Sequence, residues 1–242
     1  MPVIFKNIRR KLAAQNKAAA YIRYAIGEIL LIVIGILIAL AINKWRAQQK
    51  QNTLELTILS QIKDRVQSDS LDLQRVILDM EEINRTALNL KRYMKEGKPY
   101  TDTLKTSFSR ISFFPDFHPD QTPFDRLLDA GINIVKNDSL RSLIPRYFRS
   151  IIHYEKVFQT FPIDVYFRNK IYPKYFKSFS WDPQKGCVPK DYRALTHSDN
   201  FFVALDYVIN DSRFYKSVYL QVARRNARLL KLLKKELRKR KE

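Results

Sequence analysis

The residue types that most often carry out chemistry are sparse in this chain of 242 residues. Three histidines, His118, His153 and His197, lie far apart, and none has the spacing of a metal site. The single cysteine, Cys187, cannot form an intramolecular disulfide, and no local motif supplies a histidine to activate its thiol. The sequence also lacks glycine-rich nucleotide loops and the G-x-S-x-G motif of serine hydrolases. It therefore predicts no catalytic residue, no metal site and no cofactor, and it disfavours an enzyme.

A second chemical pattern, from Pro162 to Phe179, places aromatic rings among basic side chains. Such a mixture can stack on bases or sugars while it attracts negative charge. The alternative, which we favour, is a helix whose rings pack inward and whose basic side chains face water. The candidate ligand contacts are Tyr166, Arg168, Lys170, Tyr172, Lys174, Tyr175 and Lys177.

The longest apolar stretch, Tyr24–Ile42, has nineteen residues and one charge, Glu28. A helix of that length spans about 28 Å, which is close to the thickness of the hydrocarbon core of a bilayer. Tyr24 and Trp45 lie near its two ends, as is typical of aromatic rings at membrane interfaces. The stretch therefore predicts a transmembrane helix over residues 24–43.

Basic residues predict how this helix is oriented. The head, residues 1–23, has no acidic residue and six basic ones, namely Lys6, Arg9, Arg10, Lys11, Lys17 and Arg23. The fifteen residues after the span have three basic residues, namely Lys44, Arg46 and Lys50. The positive-inside rule then keeps the head in the cytoplasm and places the body in the periplasm, anchored in the inner membrane. The alternative is a cleaved signal peptide, since Ala39-Leu40-Ala41 fits a cleavage motif.

One side of the predicted span carries small and polar residues. Gly35 and Ala39 form a small-xxx-small pair, which permits the close approach of a second helix. Glu28 lies on the same side and could form a polar contact there, or it could reach the cytoplasmic headgroups beside Arg23. The first reading predicts a protein partner or a homo-oligomer formed through this helix.

The same region resembles a known family. The residues AIGEILLIVIGILIALAINKW (25–45) are similar to the opening signature of uncharacterised single-pass membrane proteins of Bacteroidota, which share a domain of unknown function. A second stretch, FDRLLDAGINIVKNDSLRSLIPRYF (Phe124–Phe148), resembles a looser motif in the body of that family. The resemblance implies a basic head, one membrane helix and a largely helical body, and it implies no activity.

A heptad pattern predicts a long helix over residues 44–98, ended by Gly97-Lys98-Pro99. Ten of its eleven seam positions are apolar, and the exception, Asp69, would lower stability but could set the register. The seam could be buried within this chain or between two chains as a parallel coiled coil, and we favour burial against the C-terminal helix. The seam residues are Leu59, Ile62, Val66, Asp69, Leu73, Val76, Met80, Ile83, Ala87, Leu90 and Met94.

Residues 99–242 are predicted to form a helical domain. Capping residues predict the starts of its helices at Thr122-Pro123, Asn137, Ser198 and Asp211-Ser212, and residues 100–121 and 181–196 are predicted to be connections. The last helix is strongly basic. The predicted fold is all-α, with one N-terminal transmembrane helix, a long heptad-patterned helix and an extracytoplasmic helical bundle.

Net charge narrows the choice of partners. At +20, the chain could bind acidic lipid headgroups or an envelope polyanion, or it could have a basic solvated surface with no specific partner, whereas export of the body argues against nucleic acid. The favoured function is a structural, scaffold or sensor-like partner in the cell envelope. The alternatives are a binding module for a polyanionic or carbohydrate ligand and an enzyme that has no recognisable motif.

Overall fold

The computed structural model describes residues 18–160, 162–180, 182 and 185–240. Most of the predicted basic head, residues 1–17, therefore lies outside the described residues. The chain divides into two compact units, Met1–Glu55 and Leu56–Glu242. Helix α1, Ala18–Lys95, contributes residues to both units.

In the first unit, α1 exposes its apolar side chains. Ile29, Leu31, Ile36 and Leu40 are each 56–69% exposed. Exposure of so much contiguous apolar surface to water is unfavourable, whereas a bilayer would cover it. Within the described part of the chain, α1 is the one helix that is long and apolar enough to cross a membrane. The predicted long apolar N-terminal helix is confirmed.

The regular secondary structure in the described part of the second unit is helical except for one short β-ladder. After α1 come α2 (Leu104–Arg110), α3 (Thr122–Ala130), α4 (Asp138–Thr160), α5 (Ile163–Tyr166), α6 (Tyr172–Tyr175), α7 (Tyr192–Thr196) and α8 (Asp199–Lys239). A 3-10 turn at Ile132–Ile134 follows α3, and a π-helical turn at Phe167–Ile171 joins α5 to α6. Strands β1 (Phe176–Ser178) and β2 (Val188–Pro189) pair antiparallel. The predicted all-α fold class is confirmed.

Helix α1 ends at the predicted stop signal. Gly97 has a φ of 66°, a left-handed conformation that glycine adopts at little cost. Its amide donates to the carbonyl of Met94 at 3.1 Å, and the amide of Lys98 donates to the carbonyl of Tyr93 at 3.4 Å. Because these two bonds satisfy carbonyls that the helix end would leave unpaired, local sequence alone determines this boundary.

Two of the predicted caps are confirmed and a third is wrong. The side chain of Asn137 accepts from the amides of Ser139 and Leu140, and that of Ser198 caps α8. Thr122 is the first residue of α3 rather than its cap. The Asp120 carboxylate accepts from both the amide and the hydroxyl of Thr122, and this bonding competes with a capping role for the hydroxyl.

The structure has more helix than local signals predict. Helices α2 and α7 form in segments that the sequence suggested were connections. Helix α8 also runs through Asp211-Ser212 without a break. The reason lies in tertiary contacts, because the Asn84 side chain donates to the Ser212 hydroxyl at 3.0 Å and to the carbonyl of Ile209 at 2.8 Å. That contact gives the buried hydroxyl a partner, so Ser212 is accommodated inside the helix.

The heptad seam of α1 forms the centre of the core of the second unit. All eleven seam residues are at most 2% exposed. Helix α8 runs antiparallel to it, since Asn84 bonds to residue 209 whereas Asn226 bonds to the carbonyl of Val66. An ion pair between Lys91 and Asp206 joins the same two helices. The seam is therefore buried within one chain, which is the arrangement favoured above.

Asp69, the one charged residue of the seam, is held by hydrogen bonds from two side chains. Arg65 Nε donates to its Oδ1 at 2.5 Å and the Tyr147 hydroxyl donates to its Oδ2 at 2.8 Å. Asn226 Nδ2 donates in turn to the Tyr147 hydroxyl at 3.0 Å. Burial raises the pKa of Asp69, although both hydrogen bonds oppose that shift. This network joins α1, α4 and α8 inside the core.

Tyr147→Phe should lower the free energy of unfolding by about 1–3 kcal/mol, because it removes a hydrogen-bond partner from each of two buried groups, Asp69 and Asn226. Denaturant unfolding of the full chain in detergent, followed by circular dichroism, measures this change. Tyr154→Phe, on the same helix, is the control and should change stability by less than about 0.5 kcal/mol. Equal effects of the two substitutions would contradict a special role for the network.

Candidate functional site

An open cavity of about 390 Å³ lies in the second unit. Its walls come from one face of α4 and one face of α8, and both faces follow the i, i+3, i+4, i+7 spacing that brings side chains together on a helix. The lining residues on these helices are Ile151, Tyr154, Glu155 and Phe158 from α4, and Tyr215, Val218, Tyr219 and Val222 from α8. The segments 112–118 and 162–168 complete the lining.

Aromatic rings form a continuous wall of this cavity. The rings of Phe158 and Tyr215 have centroids 4.1 Å apart and planes at 70°. Phe158 also meets Tyr219 at 5.6 Å, and Phe114 meets Tyr215 at 5.5 Å, both edge-to-face. Edge-to-face contacts are favourable for aromatic quadrupoles, so these rings stabilise one another in the wall.

One rim of the cavity carries an imidazole between two carboxylates. His118 Nδ1 lies 2.9 Å from Glu155 Oε1, and His118 Nε2 lies 3.4 Å from Asp116 Oδ2. The hydrogen bond to Glu155 is the main cause of a raised pKa of His118, the Asp116 charge adds to it, and burial opposes it. The arrangement therefore favours the imidazolium form.

The charged side chains that line the cavity have a net charge of opposite sign to that of the whole chain. Asp164 and Arg168 form an ion pair of 3.0 Å within the lining. Together with Asp116, Glu155 and His118, the charged lining residues have a net charge of −1 with a protonated imidazole and −2 with a neutral one. The chain as a whole has a net charge of +20. The cavity is thus an acidic site in a basic protein.

Two tyrosine hydroxyls of the wall stay protonated at neutral pH. Burial raises the pKa of Tyr215 to about 12, and the charges of Asp211, Asp116 and Asp164 add to that shift. Burial likewise raises the pKa of Tyr219. Both hydroxyls are therefore uncharged in the lining of the cavity.

The other candidates for reactive chemistry are possible metal ligands and the thiol of Cys187. Within the part of the chain that the structure describes, no group of three or more His, Cys, Asp or Glu side chains is arranged to hold a metal ion. Cys187 is fully buried, and burial raises the pKa of its thiol. A protonated, buried thiol is a poor nucleophile, so the position suits packing.

The aromatic and basic side chains predicted as a ligand stretch differ in how far they are buried. Tyr172 is 7% exposed and its hydroxyl donates to the carbonyl of Phe108 at 2.9 Å. Tyr175 is half-buried and shares a hydrogen bond with Ser198. Tyr166, Lys170, Lys174 and Lys177 are exposed, and Arg168 alone of the seven lines the cavity. Tyr172 therefore packs inward while the basic residues face water, as in the alternative reading.

The residues predicted as an interface in the span remain accessible in the first unit. Gly35 and Ala39 are exposed, and Glu28 is half-exposed. A Cβ added to Gly35 would meet no atom within 4 Å, so the surface there has room for another helix. Association through this face stays a prediction.

Sequence reasoning missed the cavity. Phe113, Phe114 and Phe117 all line the cavity, although Phe117 is buried and Phe114 packs on the core. His118 and Glu155 are 37 residues apart, and no local motif links them. The available signal was the helical spacing of Tyr154, Glu155 and Phe158, which places a carboxylate on an apolar face.

Glu155→Gln should lower the pKa of His118, since it removes the carboxylate whose hydrogen bond most favours the imidazolium. The stability that this pair contributes is present below the ordinary value of 6.5 and is lost as the pH rises through the raised pKa of the folded state. An NMR titration of the His118 imidazole in the full chain measures the change, with His118→Gln used to assign its signals.

The matched control for that titration is Asp116→Asn. Asp116 raises the pKa of His118 by less than Glu155 does. Its replacement by Asn should therefore lower that pKa by less than Glu155→Gln does. A larger effect of Asp116→Asn, or no effect of Glu155→Gln, would contradict the geometry of this rim.

Comparison with known proteins identifies a family for much of the chain. Residues 28–159 match the model of a family described as a family of unknown function (DUF6090). This match covers more than half of the chain, from the apolar helix to the cavity face of α4. No curated protein and no solved structure matches the chain.

Proposed function

The chain belongs to this family of unknown function, and we propose that it is a membrane-anchored, sensor-like binding protein whose cavity takes a small cationic organic ligand. The observation that carries the proposal is the aromatic cavity with a net negative lining in a protein of net charge +20. The apolar N-terminal helix supplies the anchor.

Aromatic faces and carboxylates together favour an organic cation. The negative face of an aromatic ring attracts a cation within about 6 Å of its centroid, and desolvation strengthens this attraction. Phe158, Tyr215 and Tyr219 supply such rings, while Glu155 and Asp116 supply negative charge at the rim. The cavity volume of about 390 Å³ is in the range of small-molecule sites.

The same lining argues against two other functions. A polyanionic ligand would meet a net negative charge in this cavity, and desolvating like charges is unfavourable. We also propose binding rather than catalysis, because His118 is already tied to Glu155 and Asp116. A ligand held by aromatic walls and a charged rim needs no reactive group in the site.

Choline and its uncharged isostere 3,3-dimethylbutan-1-ol are the probes that test this function. We expect the full chain in nanodiscs to bind choline about tenfold more tightly than the isostere, since the cation–aromatic attraction is lost without the charge. Phe158→Leu should weaken choline binding by about tenfold. Isothermal titration calorimetry measures both comparisons.

Tyr207→Leu is the control for those measurements, because Tyr207 is 54% exposed and is not part of the cavity lining. It should leave choline binding unchanged. Equal binding of choline and the isostere, or tighter binding of a neutral sugar such as N-acetylglucosamine, would overturn the assignment of a cationic ligand.

We also propose that the span is retained and that the body lies in the periplasm. The bias of six basic residues before the span against three after it supports this orientation. A scaffold role is a second proposal, in which Gly35 and Ala39 pack against a partner helix in the membrane. The exposed small pair supports it.

Alkaline phosphatase fused to the C-terminus should be active, because this enzyme folds only outside the cytoplasm. Replacement of Lys6, Arg9, Arg10 and Lys11 by Gln should lower that activity, since it removes most of the positive bias of the head. An inactive fusion of the unmodified chain would contradict the orientation. N-terminal sequencing that begins at Ile42 would contradict the anchor.

A further inference from the structure

Helix α8 carries a concentrated positive charge over residues 224–239. This segment has a single acidic residue, Glu236, and eight basic side chains, all of them exposed: Arg224, Arg225, Arg228, Lys231, Lys234, Lys235, Arg238 and Lys239. We call this segment the basic surface. A run of sixteen helical residues extends about 24 Å, so the eight charges are close enough to act together.

The structure does not neutralise these charges internally. The ion pairs found among the described residues include none of the eight, whereas basic residues nearer the middle of the body, such as Lys91 and Arg110, do pair with carboxylates. Glu236 accepts hydrogen bonds from Asn137 and Arg240, both at 2.8 Å, and its attraction to Lys239 is weaker. The basic surface thus presents nearly its whole charge to the solvent.

Core packing determines which way these cations face. The intervening residues Val222, Asn226, Leu229 and Leu233 are at most 2% exposed and form the buried side of α8. The helix cannot rotate to hide the cations without exposing this apolar side. A groove lined by Lys234 and Arg238, together with residues 56–67 of α1, continues the basic surface at the end of the body where α1 enters it.

From this arrangement we infer that the basic surface docks on anionic lipid headgroups of the membrane that holds the chain. Each Lys or Arg near such a surface adds to the attraction, so eight act cumulatively. Only thirteen residues, 43–55, connect the apolar stretch to the body. An inserted span therefore tethers the basic surface to a lipid surface and raises the effective concentration of one for the other.

This inference rests on the membrane anchor of the proposed function and not on the cavity. The cavity is acidic and is lined by other residues, whereas the basic surface is separate from it along α8. Failure of choline binding would therefore leave the docking inference intact. Failure of docking would leave the ligand assignment intact.

The test uses the full chain in nanodiscs of pure phosphatidylcholine, mixed with separate vesicles that contain about one-third phosphatidylglycerol. Nanodisc incorporation itself checks the anchor. At low salt, the basic surface should bind the vesicles, so that the nanodiscs float together with them in a density gradient. Binding should disappear near about 0.5 M salt, where exposed charges are screened.

Two variants with the same net charge separate a specific surface from general basicity. The first carries Lys231→Gln, Lys234→Gln, Lys235→Gln and Arg238→Gln, and the second carries Arg92→Gln, Lys177→Gln, Lys185→Gln and Arg193→Gln. The first should weaken vesicle binding by at least about tenfold, and the second should change it by less than about twofold. Circular dichroism should show both variants folded, since every substituted side chain is exposed.

Three outcomes would overturn the inference. The first is equal loss of vesicle binding in the two variants, which would indicate net charge alone. The second is equal flotation with pure phosphatidylcholine vesicles, which would indicate no selectivity for anionic lipid. The third is tighter binding to a double-stranded DNA fragment than to the anionic vesicles at the same salt concentration.

Discussion

Burial of the apolar seam of α1 against α8 is the contact on which the second unit depends. The eleven seam residues between Leu59 and Met94 are at most 2% exposed, and burial of apolar surface contributes about 25 cal/mol per Å². That contact also orients α8, whose middle and C-terminal parts carry two different surfaces. Its residues 215–222 complete the cavity with α4, and its residues 224–239 carry the exposed positive charge.

Polar side chains in the core select one register for these helices. Asp69, Asn84 and Asn226 each bond to a specific partner across the bundle. A slip by one turn would break these cross-helix bonds and leave Asp69 with only Arg65, a residue of its own helix, which costs more than the lost packing alone. Apolar burial therefore supplies most of the stability, and the polar bonds select the alignment that builds the cavity.

Charge is divided unevenly between two surfaces. The cavity has a net negative lining, whereas the end of α8 holds eight exposed cations. A net charge of +20 conceals this division, because it is summed over the whole chain. An organic cation and an anionic lipid surface would thus meet different parts of one body without competing.

The sequence by itself determined the apolar span, the heptad seam, the end of α1 at Gly97 and the caps at Asn137 and Ser198. These features depend on periodicity or on atoms within one or two helical turns, so local residues contain the whole signal.

Tertiary structure decided the rest. It brought His118 to Glu155 across 37 residues and carried α8 through Ser212. It also packed Gly186 so tightly on α2 that a Cβ there would lie 2.6 Å from the main chain of Lys105. Each outcome depends on which distant segments meet, and that follows from how the apolar faces pack together rather than from any local pattern.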